Sequence, residues 1–182
     1  MAKDGHPGAM ETPENADVGT QTSRSSGRQR RLRQPPTPTQ QAIALLSRRE
    51  HSGKELQRKL QARGVSADEA LQAVQRVSTA GWQDDTRFAE SLVRNRIAGG
   101  YGSLHIRAEL ATHGLDPNSI QAAIEAQAPD WLALARSLLQ RRFPGDALRD
   151  PKQQRRALAL LMRRGFAADH CHRAMRPSHT DD

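Results

Sequence analysis

The chain has 182 residues, of which 36% are hydrophobic and 3% aromatic, and it carries a formal charge of +8 with a pI near 10.9. That length suits one compact domain or an array of small modules sharing a thin core. No apolar run approaches the ~20 residues needed to cross a bilayer, and Met1 to Ala9 lacks the apolar core of a secretory signal. The expectation is a cytoplasmic protein that meets no membrane. The single cysteine, Cys171, excludes an intramolecular disulfide framework and a four-cysteine zinc site. Six aromatic residues are too few for a stacking platform on single-stranded nucleic acid, while the positive charge favours polyanions or acidic protein partners.

Residues 1–38 hold Gly, Pro, Ser, Thr, Gln and Asn with almost no periodic apolar residue. Such a segment cannot bury enough surface to offset its ordering entropy and is expected to be a disordered tail. Its basic run (Arg28, Arg30, Arg31, Arg33) reads either as a solvated linker or as an arm adding electrostatic affinity for nucleic acid. Residues 177–182 are likewise expected to be disordered.

From Thr39 the spacing turns helical. Ala42, Ile43, Leu45 and Leu46 form one apolar stripe, and Ala70, Leu71, Val74 and Val77 a second. Phe88, Ala89, Leu92, Val93 and Ile97 repeat the pattern, as do Trp131, Leu134, Ala135, Leu138 and Leu139. Nothing alternates like a strand. The punctuation agrees. Ser52 with Glu55 and Ser66 with Glu69 fit capping boxes. Asp116-Pro117 and Asp150-Pro151 set a capping carboxylate before a proline at the first helical position. Gly64, Gly81, Gly99, Gly114 and Gly165 stand where a left-handed residue closes a helix. Nine helices are predicted, at 39–50, 52–63, 66–80, 84–98, 103–113, 116–127, 130–143, 150–164 and 167–175.

A repeat organises them. Gly64, Gly114 and Gly165 are separated by 50 and 51 residues. Four residues before each glycine stand Leu60, Leu110 and Leu161, and eight before stand Leu56, Ile106 and Ala157. Six after stand Ala70, Ile120 and Cys171, and nine after an alanine recurs at 73, 123 and 174. A three-helix unit of this size buries little alone, so tandem units are expected to share interfaces. The fold class predicted is all-α: three tandem three-helix repeats (39–81, 82–129, 130–176) in an elongated, curved array. Three units in line would reach about 60–70 Å.

Three stretches resemble a known family. Leu45-Leu46-Ser47-Arg48-Arg49-Glu50-His51-Ser52-Gly53-Lys54-Glu55-Leu56 resembles the opening motif of the RecX family, regulators of the RecA recombinase. Asp84-Asp85-Thr86-Arg87-Phe88-Ala89-Glu90 resembles its second signature, and Gly100-Tyr101-Gly102-Ser103-Leu104-His105-Ile106-Arg107-Ala108-Glu109-Leu110 its third. The resemblance covers about residues 40 to 176. It implies three tandem three-helix repeats, binding in the groove of the RecA–single-stranded DNA filament, and inhibition of its ATPase, strand-exchange and coprotease activities, in DNA repair, homologous recombination and the SOS response. The third motif departs from the family's pattern, which usually has proline where Ser103 stands and often arginine where His105 stands. Ser103 is expected still to cap its helix.

The charge is uneven. Residues 41–81 hold seven Lys/Arg and four Asp/Glu, residues 82–129 four and six, and residues 130–176 eleven and four, giving +3, −2 and +7. The candidate contacts to partner protein or DNA phosphate are Arg48, Arg49, Lys54, Arg58, Lys59, Tyr101, Arg107, Arg141, Arg142, Lys152, Arg155, Arg156, Arg163 and Arg164. A solvated helix face is the plainer reading of any single arginine. Lys54 with Arg58, and Lys59 with Arg63, put like charges four residues apart, a small cost that hints at an anionic partner. Tyr101, between glycines, reads equally as a loop contact or as a ring buried between repeats. Trp82 and Trp131 read as core between repeats.

No catalytic or metal constellation emerges. His170 and His172 point to different helix faces, and Cys171 falls on a core slot of the repeat. Asp84 and Asp85 sit at a helix start, where capping explains them. The expectation is a monomeric, non-enzymatic regulator without cofactor whose partners are the RecA filament and the phosphate backbone of single-stranded DNA. The competing reading is a sequence-independent, architectural DNA-binding protein that needs no recombinase.

Overall fold

In the computed structural model, which describes residues 35–176, nine α-helices and one short 3-10 turn follow one another, with no strand among the described residues. They are α1 (Pro38–Leu46), α2 (Gly53–Gln61), α3 (Ala67–Thr79), α4 (Asp85–Ala98), α5 (Ser103–Thr112), α6 (Pro117–Glu125), α7 (Trp131–Arg142), the turn Gly145–Arg149, α8 (Pro151–Arg163) and α9 (Ala168–Met175). Each lies within a residue or two of its predicted place except α1, which stops at Leu46 instead of continuing to residue 50. The expected tails, including the arginine run at 28–33, lie outside the described residues apart from 35–38, where Thr37 already caps α1.

A side-chain oxygen opens seven of these nine helices. Thr37, Ser52, Ser66, Asp84, Asp116, Asp130 and Asp150 each accept a hydrogen bond from a backbone N–H of the first turn. Ser66 and Glu69 complete a capping box. Ser52 makes only half of the one expected, because the Glu55 carboxylate turns instead to Arg49 and Lys59. Ser103 does not cap α5: it is the first helical residue, where proline is favoured, and Gly102 holds the cap position without a side-chain acceptor. Gly64, Gly81, Gly114 and Gly165 close their helices in the left-handed region as expected. At the end of α4 that role falls to Gly100 (φ +74), while Gly99 stays right-handed.

Three hydrophobic clusters form, one per three-helix group. α3 packs on α1 and α2, α6 on α4 and α5, and α9 on α7 and α8. Leu60, Leu110 and Leu161 are fully buried at the centres of the clusters, beside the equally buried Leu56, Ile106 and Ala157. Equivalent slots of the repeat thus hold equivalent core positions. Trp131 packs against the second and third clusters at once, as expected of a ring between repeats.

Trp82 is not core: it is 51% exposed. Gly81 (φ +72) turns the chain outward before it, and Gln83, 5% exposed, takes the interior place. Leu71 also lies outside its expected stripe, at 45% exposure, about 100° around the helix from buried Ala70.

Candidate functional site

The third helical group carries most of the free cations among the described residues. On α8, at 3.6 residues per turn, Lys152, Arg156 and Arg163 fall within about 40° of one another, with Arg155 about 60° to one side and the buried Leu161 opposite. All four are exposed, and none forms an ion pair among the described residues. α8 has no acidic residue. Arg141 and Arg142, at the end of α7, are also exposed and unpaired there. Within this group only Arg149 and Arg173 meet carboxylates, those of Asp146 and Asp169.

The first group ties up Arg49, Lys54 and Lys59 among its seven cations. Glu55, 6% exposed, sits among Arg49 (2.5 Å), His51 (3.0 Å) and Lys59 (3.3 Å). Burial pushes its carboxyl upward, but the hydrogen bonds from Arg49 and the neighbouring His51 outweigh this and hold it down at about 2. Burial also lowers the His51 imidazole below its ordinary value, against the opposing pull of Glu55. The Lys54 ammonium donates to the Thr112 carbonyl (2.9 Å), and so ties α2 to the end of α5. Arg48 and Arg58 are exposed with no ion pair among the described residues.

Around Lys54 the first two groups are stitched together. Ser52 Oγ lies 2.9 Å from His113 Nδ1, the Gly53 N–H donates to the Asp85 carboxylate (2.9 Å), and Arg87 donates to Glu50 (3.0 Å). Beside this seam runs a cleft of about 470 Å³, lined by Arg49, Glu55, Arg58, Phe88, Asn95 and His113 among others. Glu50, Glu55 and Glu109 along it are each held by a cation. Burial opposes ionisation of Glu109, but hydrogen bonds from Arg96 (2.6 and 2.5 Å) are the larger influence and lower its carboxyl. Capping explains Asp84 but not Asp85, which is the first residue of α4 and accepts from the first group instead; one carboxylate suffices for the cap, leaving the other free to reach across.

The second junction takes up Tyr101 and Arg164. Arg164 donates to the Gly99 carbonyl (2.9 Å), and its guanidinium lies 4.5 Å from the centre of the Tyr101 ring. The half-buried Tyr101 stacks on His105 at 4.3 Å. The backbone there comes very close. The Gly102 N–H donates to the Arg164 carbonyl (2.7 Å), and the Leu104 N–H donates to the Gly165 carbonyl (2.9 Å). That second bond gives α5 the first-turn acceptor its own cap lacks. Arg107 is half-buried and donates to the Gln121 side chain.

Cys171 is fully buried, its thiol 3.6 Å from the Phe166 carbonyl, and burial raises its pKa. Among the described residues no group of three or more His, Cys, Asp or Glu could hold a metal ion, and no helix is long and apolar enough to cross a membrane.

These features define a class: a tandem helical-repeat protein whose unpaired cations gather on the last repeat. Comparison with known proteins takes this further. Family models described as RecX first, second and third three-helix domains match residues 40–76, 84–124 and 129–175 in that order. A regulatory protein RecX of Stenotrophomonas maltophilia strain K279a is 54% identical over 151 residues, covering 83% of this chain and 92% of that protein. One from Xanthomonas axonopodis pv. citri is 55% identical over 140 residues, covering 77% and 86%. The crystal structure of RecX from Lactobacillus salivarius superposes with a TM-score of 0.63 at 20% identity, covering 76% of this chain and 92% of that one, and so shares the fold. The chain belongs to the RecX family of regulatory proteins.

Proposed function

We propose that the protein binds the RecA–single-stranded DNA filament and lowers its ATPase, strand-exchange and coprotease activities, acting in the cytoplasm as a monomer and making or breaking no covalent bond. The observation that supports this most is the pairing of family membership with charge layout. Three repeats in family order carry +3, −2 and +7, and the last presents most of its cations unpaired. A pure DNA binder is expected to stay positive throughout, whereas a partner combining acidic protein surface with phosphate suits an alternating layout. The mechanism is differential binding: a protein that holds one filament state more tightly than another shifts the population by the difference in affinity alone. Arg48, Arg58, Arg141, Arg142, Lys152, Arg155, Arg156 and Arg163 are the contacts proposed, because their guanidinium and ammonium groups are exposed and unclaimed by carboxylates among the described residues.

The test is the DNA-dependent ATPase of RecA with this protein added below stoichiometry at low salt. A fall in rate is the expected result, and an unchanged rate overturns the reading. The competing architectural role is recognised by binding to bare DNA as tight as binding to filament, with a steep loss on adding salt.

A further inference from the structure

The exposed face of α8 is not uniformly cationic. Among the described residues four large hydrophobic side chains are exposed, and two of them, Leu104 (55%) and Met162 (61%), flank the same backbone crossing. Two hydrogen bonds in series link them: the Leu104 N–H donates to the Gly165 carbonyl, and the Gly165 N–H donates to the Met162 carbonyl, each at 2.9 Å. Met162 lies about 20° around the α8 axis from Arg155, two turns away, and about 80–120° from Lys152, Arg163 and Arg156, at one edge of the cationic face. Ala159, half-buried, stands between Arg155 and Arg163 on that face.

A phosphate backbone asks only for cations and hydrogen-bond donors. A protein interface asks for an apolar anchor with charge at its rim, and methionine and arginine are both enriched there while lysine is depleted. The α8 face has that composition: Met162, beside Leu104, forms an exposed apolar edge with Arg155 next to it, and Arg156, Arg163 and one Lys152 continue the face. We infer that this face, with Leu104, docks an acidic protein surface bearing an apolar spot, and so meets the recombinase subunits of the filament and not its DNA. The inference rests on the function proposed above and assigns one of its two anionic constituents to one face. Charge complementarity names the occupant: the face has four cations, no acidic residue of its own and no neighbouring carboxylate in an ion pair with it.

The experiment compares binding of the full chain to RecA filament preassembled on an oligonucleotide with binding to the same oligonucleotide bare, at one salt concentration. Two double variants are used, Leu104→Gln with Met162→Gln and Arg155→Gln with Arg156→Gln; all four positions are exposed, and thermal melting verifies that each variant folds. Each pair is expected to weaken filament binding about tenfold while leaving bare-DNA affinity within about threefold. If the arginine pair weakens bare-DNA and filament binding equally, the face meets DNA and the assignment is overturned. It is overturned as well if the Leu104/Met162 pair binds filament like the parent. A parent chain with no preference for filament over bare DNA removes the proposed function itself, which separates that failure from failure of the assignment.

Discussion

Gly102 and Gly165 meet backbone to backbone, 63 positions apart in the chain. A Cβ on Gly102 would press into the Gly165 carbonyl and the Phe166 N–H, and one on Gly165 would press into the backbone of His105. Both glycines are therefore required by space, and Gly165 also by its left-handed backbone (φ +78). Gly102→Ala is expected to cost about 1–3 kcal/mol, as overpacking does in a rigid contact. Gly64→Ala, left-handed but in open space, is expected to cost only about 1 kcal/mol. Thermal melting of the two variants checks the order; equal losses would mean the crossing tolerates a methyl group.

Arg164 belongs to the same crossing. Arg164→Ala removes its bond to the Gly99 carbonyl and its place over Tyr101, a loss of about 1–2 kcal/mol. It should lower the melting temperature without the selective loss of filament binding expected of Arg155 and Arg156. A variant as stable as the parent would return Arg164 to the set of free cations.

Leu110 is fully buried at the centre of the second cluster. Leu110→Ala is expected to cost about 2–5 kcal/mol, the usual range for a leucine cavity. An unmoved melting temperature would contradict the alignment of Leu60, Leu110 and Leu161 as equivalent core slots.

Acid should loosen the first group in two stages. The buried His51 resists protonation, with a pKa below the ordinary 6.5, so the unfolded chain takes up its proton first and stability drops as pH falls from about 6.5. Glu55 titrates near 2 when folded against an ordinary 4.5, so its contribution is complete above 4.5 and disappears between there and about 2. A melting-temperature profile from pH 8 to pH 2 checks both. Glu55→Gln should lower the melting temperature at neutral pH and flatten the lower stage; an unaltered profile would discount the Arg49, His51 and Lys59 cluster.

Ala128, just past α6, holds φ +38, which suits glycine better than alanine. Its N–H bonds the Glu125 carbonyl and so ends the helix. Ala128→Gly is expected to raise stability by about 0.5–1 kcal/mol, relief of the left-handed cost less the extra freedom of the unfolded chain. A fall would show that the flanking residues accommodate the alanine methyl.

What the sequence made legible was local. Asp116-Pro117, Asp150-Pro151 and the Ser66 and Glu69 pair act within one turn of helix, so their spacing alone places three helix starts. The leucine and alanine slots repeat because each three-helix group solves the same packing problem. The seams were not legible. Asp85 to Gly53, Lys54 to Thr112 and Gly102 to Gly165 join residues 32 to 63 apart, and nothing in their neighbours marks them as pairs. Trp82 misled because large aromatic rings are usually core, whereas here the left-handed Gly81 turns the chain and Gln83 occupies the interior. For the candidate surface, composition identified the surplus of arginine, but only the fold separates those held by internal contacts, such as Arg49 by Glu55 and Arg164 by the Gly99 carbonyl, from those left facing solvent on α8.

α5 has no serine, threonine or aspartate at its cap and takes a first-turn acceptor from the Gly165 carbonyl. The middle repeat is thus incomplete by itself. A chain cut after Pro129 would begin α5 with an orphaned N–H at Leu104, although every residue of that repeat were still present. The second repeat thus borrows a helix-start acceptor from the third, so the two are coupled through the backbone as well as through side chains.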